Sequence, residues 1–379
     1  MGSGLLDGVR VLDLSRVLAG PLCSMMLGDL GASVIKVERP AVGDDTRGWG
    51  PPFAEDGQSA YFLSCNRNKV SLAANFSDEV DRELLFSLIR SADVVLENYL
   101  PGVLAKYGFD AELLLAQNPR LIWCTISGFG PDSQRPGYDF VVQAESGWMA
   151  MTGEPAGEPM KAGVAIVDVL SGKDAAIGIL AALSARDRAS SPLPAERRRI
   201  HVTLASSAVA SLVNVAQNTL VSGRPAKRWG NAHANLVPYQ LFQASDRPFV
   251  LAVGSDAQWV AAARALHMDG LANDPELRTN AGRLAARERV VSALDAQLAT
   301  APASHWMSLL DAAGVPCGLV REVHEAISDV SASARTGVSP LWNGTVRIPP
   351  PALGEHTVTV REKKWSLFDD LPILSDGDV

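Results

Sequence analysis

The sequence predicts an α/β fold built on a mostly parallel sheet. Two observations predict it: short apolar, β-rich runs recur along the first half of the chain, and helical patterns separate them. Residues 9–14 open the series as a strand. Pro21 can take the first position of a helix, residues 23–30 continue it, and Gly31 can close it. Residues 34–37 are a second strand, ending at Glu38-Arg39-Pro40. The alternation continues as strand 70–73, helix 78–89, strand 94–97, a helix near 111–116 and strand 121–126. Residues 164–167 are another apolar segment, and 172–183 is apolar nearly all round, which predicts a buried helix. Residues 186–199 are polar and contain proline, the pattern of a surface loop; a helix follows near 206–220.

A chain of 379 residues is long for one domain. We expect a large domain over 1–222, a linker at 223–239, a small domain over 240–325 and a C-terminal return to the large domain over 326–379. The small domain shows a strand at 250–253 and helices near 257–266, 287–298 and 305–313.

Composition narrows the function classes. Acidic residues outnumber basic ones 42 to 34, for a net charge of −8, which argues against nucleic-acid binding but leaves room for one local cationic pocket. The cysteines, Cys23, Cys65, Cys124 and Cys317, are too scattered for structural zinc or a redox dithiol, and suit a reducing cytoplasm. There is no secretory leader pattern and no long apolar run, so a cytoplasmic protein without a membrane span is expected.

In open α/β sheets ligands bind beyond the carboxyl ends of the strands. Those positions carry Ser15 to Pro21, Arg39, Asn98-Tyr99 and Ser127-Gly128-Phe129-Gly130. A dinucleotide site would need a glycine-rich turn after the first strand, and only Gly20 is there; no P-loop, nucleophile elbow or zinc motif exists either. Asp168 stands out, inside an apolar run, at an expected strand end and before a helix. Two readings stay open: a capping aspartate, or a partly desolvated nucleophile.

Several ordered blocks carry a family resemblance. They include LDGVRVLDLSRVLAGP from residue 6, NRNKVSL at 66–72, ADVVLENYLPGVLAKYGFD at 92–110, SGFGPDSQRPGYDF from 127 and KAGVAIVDVLSGKDAAIG from 161. With these the chain resembles the class III CoA-transferases, the formyl-CoA and carnitine-CoA transferase family. The resemblance implies a Rossmann-like large domain, a smaller α+β domain and an interlocked homodimer. It implies that Asp168 is the nucleophile, unperturbed and ionised at neutral pH, forming aspartyl anhydride and aspartyl-CoA thioester intermediates. It places Arg39, Lys69 and Lys106 towards the adenine and phosphates of CoA, Asn98 and Tyr99 near the pantetheine, and Leu18, Ala19, Gly128, Phe129 and Tyr138 around the thioester. CoA and acyl-CoA enter as substrates beside a carboxylic acid, with no tightly bound cofactor and no metal.

Two departures refine this. Related racemases carry a histidine where this chain has Tyr138 in Gly137-Tyr138-Asp139, and tyrosine is a poor proton acceptor at neutral pH. That favours acyl exchange over the alternatives, a CoA-ester racemase or a non-catalytic CoA-binding protein. The pattern at 226–240, Ala-Lys-Arg-Trp-Gly-x-Ala-His followed by Val-Pro-Tyr-Gln, is similar to succinyl-CoA:glutarate-type transferases. Arg228 and His233 are therefore candidates to read a dicarboxylate, and Glu145 to bond near the thioester. The stretch 331–343 looks shortened against such relatives.

Overall fold

In a computed structural model that describes residues 4–330, 332–338 and 346–371, six strands pair into one all-parallel sheet. They are Arg10–Asp13 (β1), Ser33–Glu38 (β2), Val70–Ala73 (β3), Val94–Glu97 (β4), Ile122–Ser127 (β5) and Arg199–Thr203 (β6), in the order β3-β2-β1-β4-β5-β6. This is the doubly wound order, with its switch point between β1 and β4.

Neighbouring residues in each strand enter opposite cores. Val11, Val34, Val94 and Ile122 pack with the helices Ala19–Asp29 and Ile166–Arg188. Leu12, Ile35, Val95 and Trp123 pack with Glu79–Ile89 and Ala111–Gln117. Both faces are covered, which is why β1, β2, β4 and β5 carry apolar residues at consecutive positions rather than only at alternate ones. The helix Thr357–Lys363 also lies in this unit, where Ala73 N donates to Thr357 Oγ1 at 3.0 Å.

Four expectations change. Residues 186–199 are not simply a surface loop. Arg186 and Arg198 are buried: Arg186 pairs with Asp93 at 2.7 Å, and Arg198 donates to the carbonyls of Leu115, Asn118, Leu121 and Leu193. The chain then forms β6, an edge strand whose Arg199 and His201 mask its β character. Next, the run 164–172 is not strand then helix. One 23-residue helix, Ile166–Arg188, begins there despite Ile166, Val167 and Val169. A carboxylate from elsewhere in the chain holds its first turn, so tertiary contact overrides propensity. That helix is also not buried all round, since Ile177 is 65% exposed. Finally, the helix expected near 206–220 is two helices, Leu204–Ala210 and Val213–Ser222, meeting at a 71° bend.

The chain divides into two compact units, and the second comprises 149–160 and 224–329. Its strands Tyr239–Gln243, Pro248–Ala252 and Cys317–Leu319 form an antiparallel sheet. Its core packs Trp259, Leu294 and Trp306 from three helices beneath that sheet. Of the stretch 331–343, residues 331 and 339–343 lie outside the described residues, and 332–338 hold two short antiparallel strands. Among the described residues no single helix is long and apolar enough to cross a membrane.

Gly172 makes a packing prediction. A Cβ there would stand 2.6 Å from the Ala19 carbonyl oxygen, so the 166–188 helix can approach its neighbour only without a side chain. Gly172→Ala is expected to lower stability by about 1–3 kcal/mol through overpacking. Equilibrium denaturation checks this; an unchanged midpoint would show that the helices part freely.

Candidate active site

The loop after β1 is held by buried charge. Lys36, fully buried in β2, donates to Asp44 at 2.9 Å and to the Ser15 carbonyl at 3.0 Å. Burial alone would raise Asp44, but Lys36 and the Thr46 N–H and hydroxyl bring it down to about 2. Asp44 in turn accepts the Val17 N–H at 3.2 Å. Val17 has φ 71°, a conformation a β-branched residue adopts only under constraint. On the other side Asn98, just past β4, accepts the Arg16 N–H at 2.9 Å and donates to the Arg16 carbonyl at 2.7 Å.

A second pair of segments meets beyond β5. A Cβ on Gly128 would lie 2.6 Å from the Gly137 Cα, so only two glycines permit this backbone contact. The contact sets the start of the helix Asp139–Glu145. Asp139 then reaches across to the 166–188 helix, where its Oδ1 accepts the Val167 N–H at 2.8 Å and lies 3.4 Å from the Asp168 N. Its Oδ2 accepts from Gln143 at 2.6 Å. Asp139, not Asp168, therefore caps this helix.

Asp168 sits half-buried in the first turn of the helix. Burial, followed by the charge of Asp139, pushes its carboxyl up to about 7. The helix dipole favours the anion but contributes under about 1 kcal/mol, too little to offset both effects. The expectation of an ordinary, fully ionised carboxylate is corrected: near pH 7 about half the molecules carry the acid form. Tyr61 lies within range of the same charge, since burial and then Asp168 push its phenol up to about 12.

These pieces surround a cavity of about 250 Å³. Its walls include Val17, Leu18 and Ala19 after β1, Asn98 and Tyr99 after β4, Gly128 after β5, and Tyr138 and Asp168. It opens at the carboxyl ends of the strands, beside the switch point. Among the described residues no group of three His, Cys, Asp or Glu side chains could hold a metal ion.

Comparison with known proteins matches this chain over residues 6–364 to the family model described as CoA-transferase family III. The chain belongs to CoA-transferase family III. The succinyl-CoA:glutarate CoA-transferase of Mus musculus is 40% identical over 374 residues, covering 93% of this chain and 84% of that protein. The succinate–glutarate CoA-transferase of Agrobacterium fabrum is 41% identical, covering 87% and 83%. The acetyl-CoA:oxalate CoA-transferase of Acetobacter aceti is 39% identical, covering 91% and 88%. A crystal structure of a CAIB/BAIF family protein from Brucella suis superposes with TM-score 0.82 at 38% identity, covering 95% of this chain and 99% of that one. As a family III CoA-transferase the chain is an enzyme acting on CoA thioesters.

The structure brings Leu18, Ala19, Asn98, Tyr99, Gly128, Tyr138 and Asp168 to one cavity of this transferase. Phe129 stands behind the wall, its ring 4.0 Å from the Arg135 guanidinium. Arg39 is half-exposed and meets the wall through Asp45 at 2.5 Å. Lys106 is exposed at the end of the short helix Leu104–Tyr107. Lys69 needs correction as a phosphate contact. It is fully buried and donates to Pro21 O, Asn66 Oδ1 and Asp13 Oδ2 at 2.8, 2.9 and 3.2 Å, so its three donors are all engaged inside. Glu145 is held by a two-pronged pair with Arg135. Arg228 and His233 belong to the second unit. Arg228 donates to the carbonyls of Glu154, Gly157 and Ala150, and His233 Nδ1 accepts the Asn235 N–H at 3.0 Å. Both are thereby tied to their own backbone surroundings. Sequence reasoning missed Asp139, Tyr61, Arg16 and Arg135 as functional candidates; Arg16 carried a signal as an arginine on the loop at the end of the first strand, and Arg135 and Asp139 as members of the block that starts at 127.

A pH dependence follows. A nucleophilic Asp168 would have to be ionised, and its raised position makes the acid form dominate below about pH 7. The kcat/KM for acyl-CoA is expected to rise about tenfold per pH unit up to about 7 and then level off. Asp139→Asn keeps a capping oxygen but removes the charge, so the inflection should move down. A flat profile from about pH 5 to 8 would contradict this ionisation.

Proposed function

We propose that this enzyme moves CoA from an acyl-CoA to a second carboxylic acid, with a dicarboxylate on at least one side, through covalent chemistry on Asp168. The observation that carries the reading is the placement of Asp168: a half-buried carboxylate that, among the described residues, accepts no hydrogen bond, lining the cavity at the strand ends. The relatives named above are CoA-transferases whose names specify glutarate, succinate or oxalate.

The sequence of bonds is balanced without an external acid or base. The Asp168 carboxylate attacks the thioester carbonyl, giving a mixed anhydride and releasing CoA thiolate. The thiolate attacks the aspartyl carbonyl, giving an aspartyl-CoA thioester and freeing the first acid as carboxylate. The acceptor carboxylate attacks that thioester, and the thiolate then attacks the acceptor's side of the new anhydride. This yields the new acyl-CoA and restores Asp168. A carboxylate of pKa about 7 is a stronger nucleophile than one near 4, so its burial serves the attack. In this reading Leu18, Ala19, Gly128, Phe129 and Tyr138 surround the thioester, Asn98 and Tyr99 flank the pantetheine, and Arg39 and Lys106 meet the phosphates.

We also propose that the enzyme is a homodimer. The helix Val213–Ser222 buries none of its side chains, and Leu220 and Val221 are 76% and 78% exposed, an apolar face that a second copy would cover.

Asp168→Ala is expected to lower transfer by about 10⁴-fold or more, as removal of other catalytic nucleophiles does. Wild-type enzyme mixed with acyl-CoA alone should yield an Asp168 adduct that hydroxylamine cleaves, detected by peptide mass spectrometry. Transfer surviving in Asp168→Ala would overturn the mechanism. Arg39→Ala should weaken CoA binding roughly tenfold, the loss of one charge-assisted contact. Titration calorimetry checks it, and unchanged affinity would leave Arg39 a surface residue.

A further inference from the structure

Two arginines line the cavity that contains Asp168, and they differ in one respect. Arg135 is engaged: its guanidinium pairs with both oxygens of Glu145 and rests on the Phe129 ring. Arg16 is not. Its backbone is fixed on both sides by Asn98, and its guanidinium lies 4.9 Å above the Tyr99 ring. Yet its Nε is buried without a hydrogen-bond partner. The carboxylate beside it, Asp45, is 3.6 Å from Nη1, beyond hydrogen-bond reach, and Asp45 is already held by Arg39.

A guanidinium carries five donors, and a buried donor left unpaired is destabilising. Such a group is poised for a flat, two-oxygen anion, which supplies two parallel acceptors to the fork. Two anions could come here, a substrate carboxylate or a phosphate of CoA. The position favours the first. Arg16 shares the cavity with the carboxylate that attacks the acyl carbonyl, so the acyl group is the part of the substrate that must enter.

We propose that Arg16 binds the distal carboxylate of the acid whose other carboxyl group accepts or releases CoA. This rests on the transfer reading above and adds the residue that sets its substrate class. It moves that role from Arg228, whose donors are taken by backbone carbonyls, to the loop after β1. Tyr99 supports the guanidinium from one face, and Asn98 keeps the loop from adjusting when the side chain is changed.

The test compares acids that differ in the distal group. With one acyl-CoA donor, kcat/KM is measured for glutarate and for butyrate in wild type, Arg16→Ala, Arg16→Gln and Arg16→Lys. In a double-displacement scheme kcat/KM for the acceptor reports the acceptor half-reaction alone. The glutarate-to-butyrate ratio should fall roughly 10- to 100-fold in Arg16→Ala and Arg16→Gln, and recover in part in Arg16→Lys, which keeps the charge but not the fork. Circular dichroism and melting temperature check that each variant is folded; Arg16→Gln, which keeps length and polarity, carries the test if Arg16→Ala is not. A ratio unchanged within about twofold overturns the proposal. So does an equal loss on both acids together with weaker CoA binding, which would assign Arg16 to a phosphate. A wild-type enzyme that uses butyrate as well as glutarate overturns it too. Absence of transfer to any acid by wild type would instead remove the transfer reading itself.

Discussion

The site depends on two lysines that have no access to water. Lys36 and Lys69 both lie inside the first unit, fully buried, and both face Asp13 at the end of β1. Burial alone would raise the Asp13 carboxyl, yet Lys69, Lys36 and the hydroxyls of Ser15 and Ser24 hold it below the usual carboxylate range. Removing one member of such a set would leave an uncompensated charge, which costs about 3–5 kcal/mol. The geometric consequence matters more than the energy. Lys36 ties the Ser15 carbonyl and Asp44 together, and Asp44 holds Val17 in its left-handed conformation. The backbone of Arg16, Val17, Leu18 and Ala19 is thus fixed before any ligand arrives, and it forms one wall of the cavity.

Asp139 shows how one carboxylate can serve structure and reactivity at once. By accepting the Val167 N–H it ends the need for a local cap and lets the helix begin two residues before Asp168. By lying so close it also places a like charge beside Asp168. The arrangement is stable because Asp139 is hydrogen-bonded and Asp168 can take up a proton. The cost of burial is borne by Asp168. Burial raises the resting energy of its anion, the form that the proposed attack requires.

Much of the fold was legible because it is written in local pattern. Strands β3 and β4 fall on the expected residues, 70–73 and 94–97, because each is a short apolar run between turn signals. Strand β6 was hidden because an edge strand can carry Arg199 and His201. The nucleophilic role proposed for Asp168 came from resemblance alone; its local pattern left capping open. Its shifted ionisation was not legible at all. It arises from burial and from Asp139, 29 residues earlier in the chain, whose proximity depends on two glycines that meet across a loop. Lys69 misled for the opposite reason. A lysine in a polar stretch reads as solvated, and nothing local announces that Asp13, 56 residues away, lies beside it.

The relatives make a further physical point about where specificity can sit. Proteins about 40% identical to this chain are named for acids as different as glutarate and oxalate. An enzyme that reacts through a carboxylate and a thioester treats the reacting ends of all these acids alike, so the chemistry itself does not distinguish them. Discrimination must come from the non-reacting end, and a charged end can be rejected or required far more strongly than one methylene can be measured. The sheet fixes where the reacting end lies. The non-reacting end then falls to side chains on the loops at the strand ends, where substitution leaves the sheet intact. A guanidinium with an unpaired buried donor is the side chain there with most to gain from a charged partner.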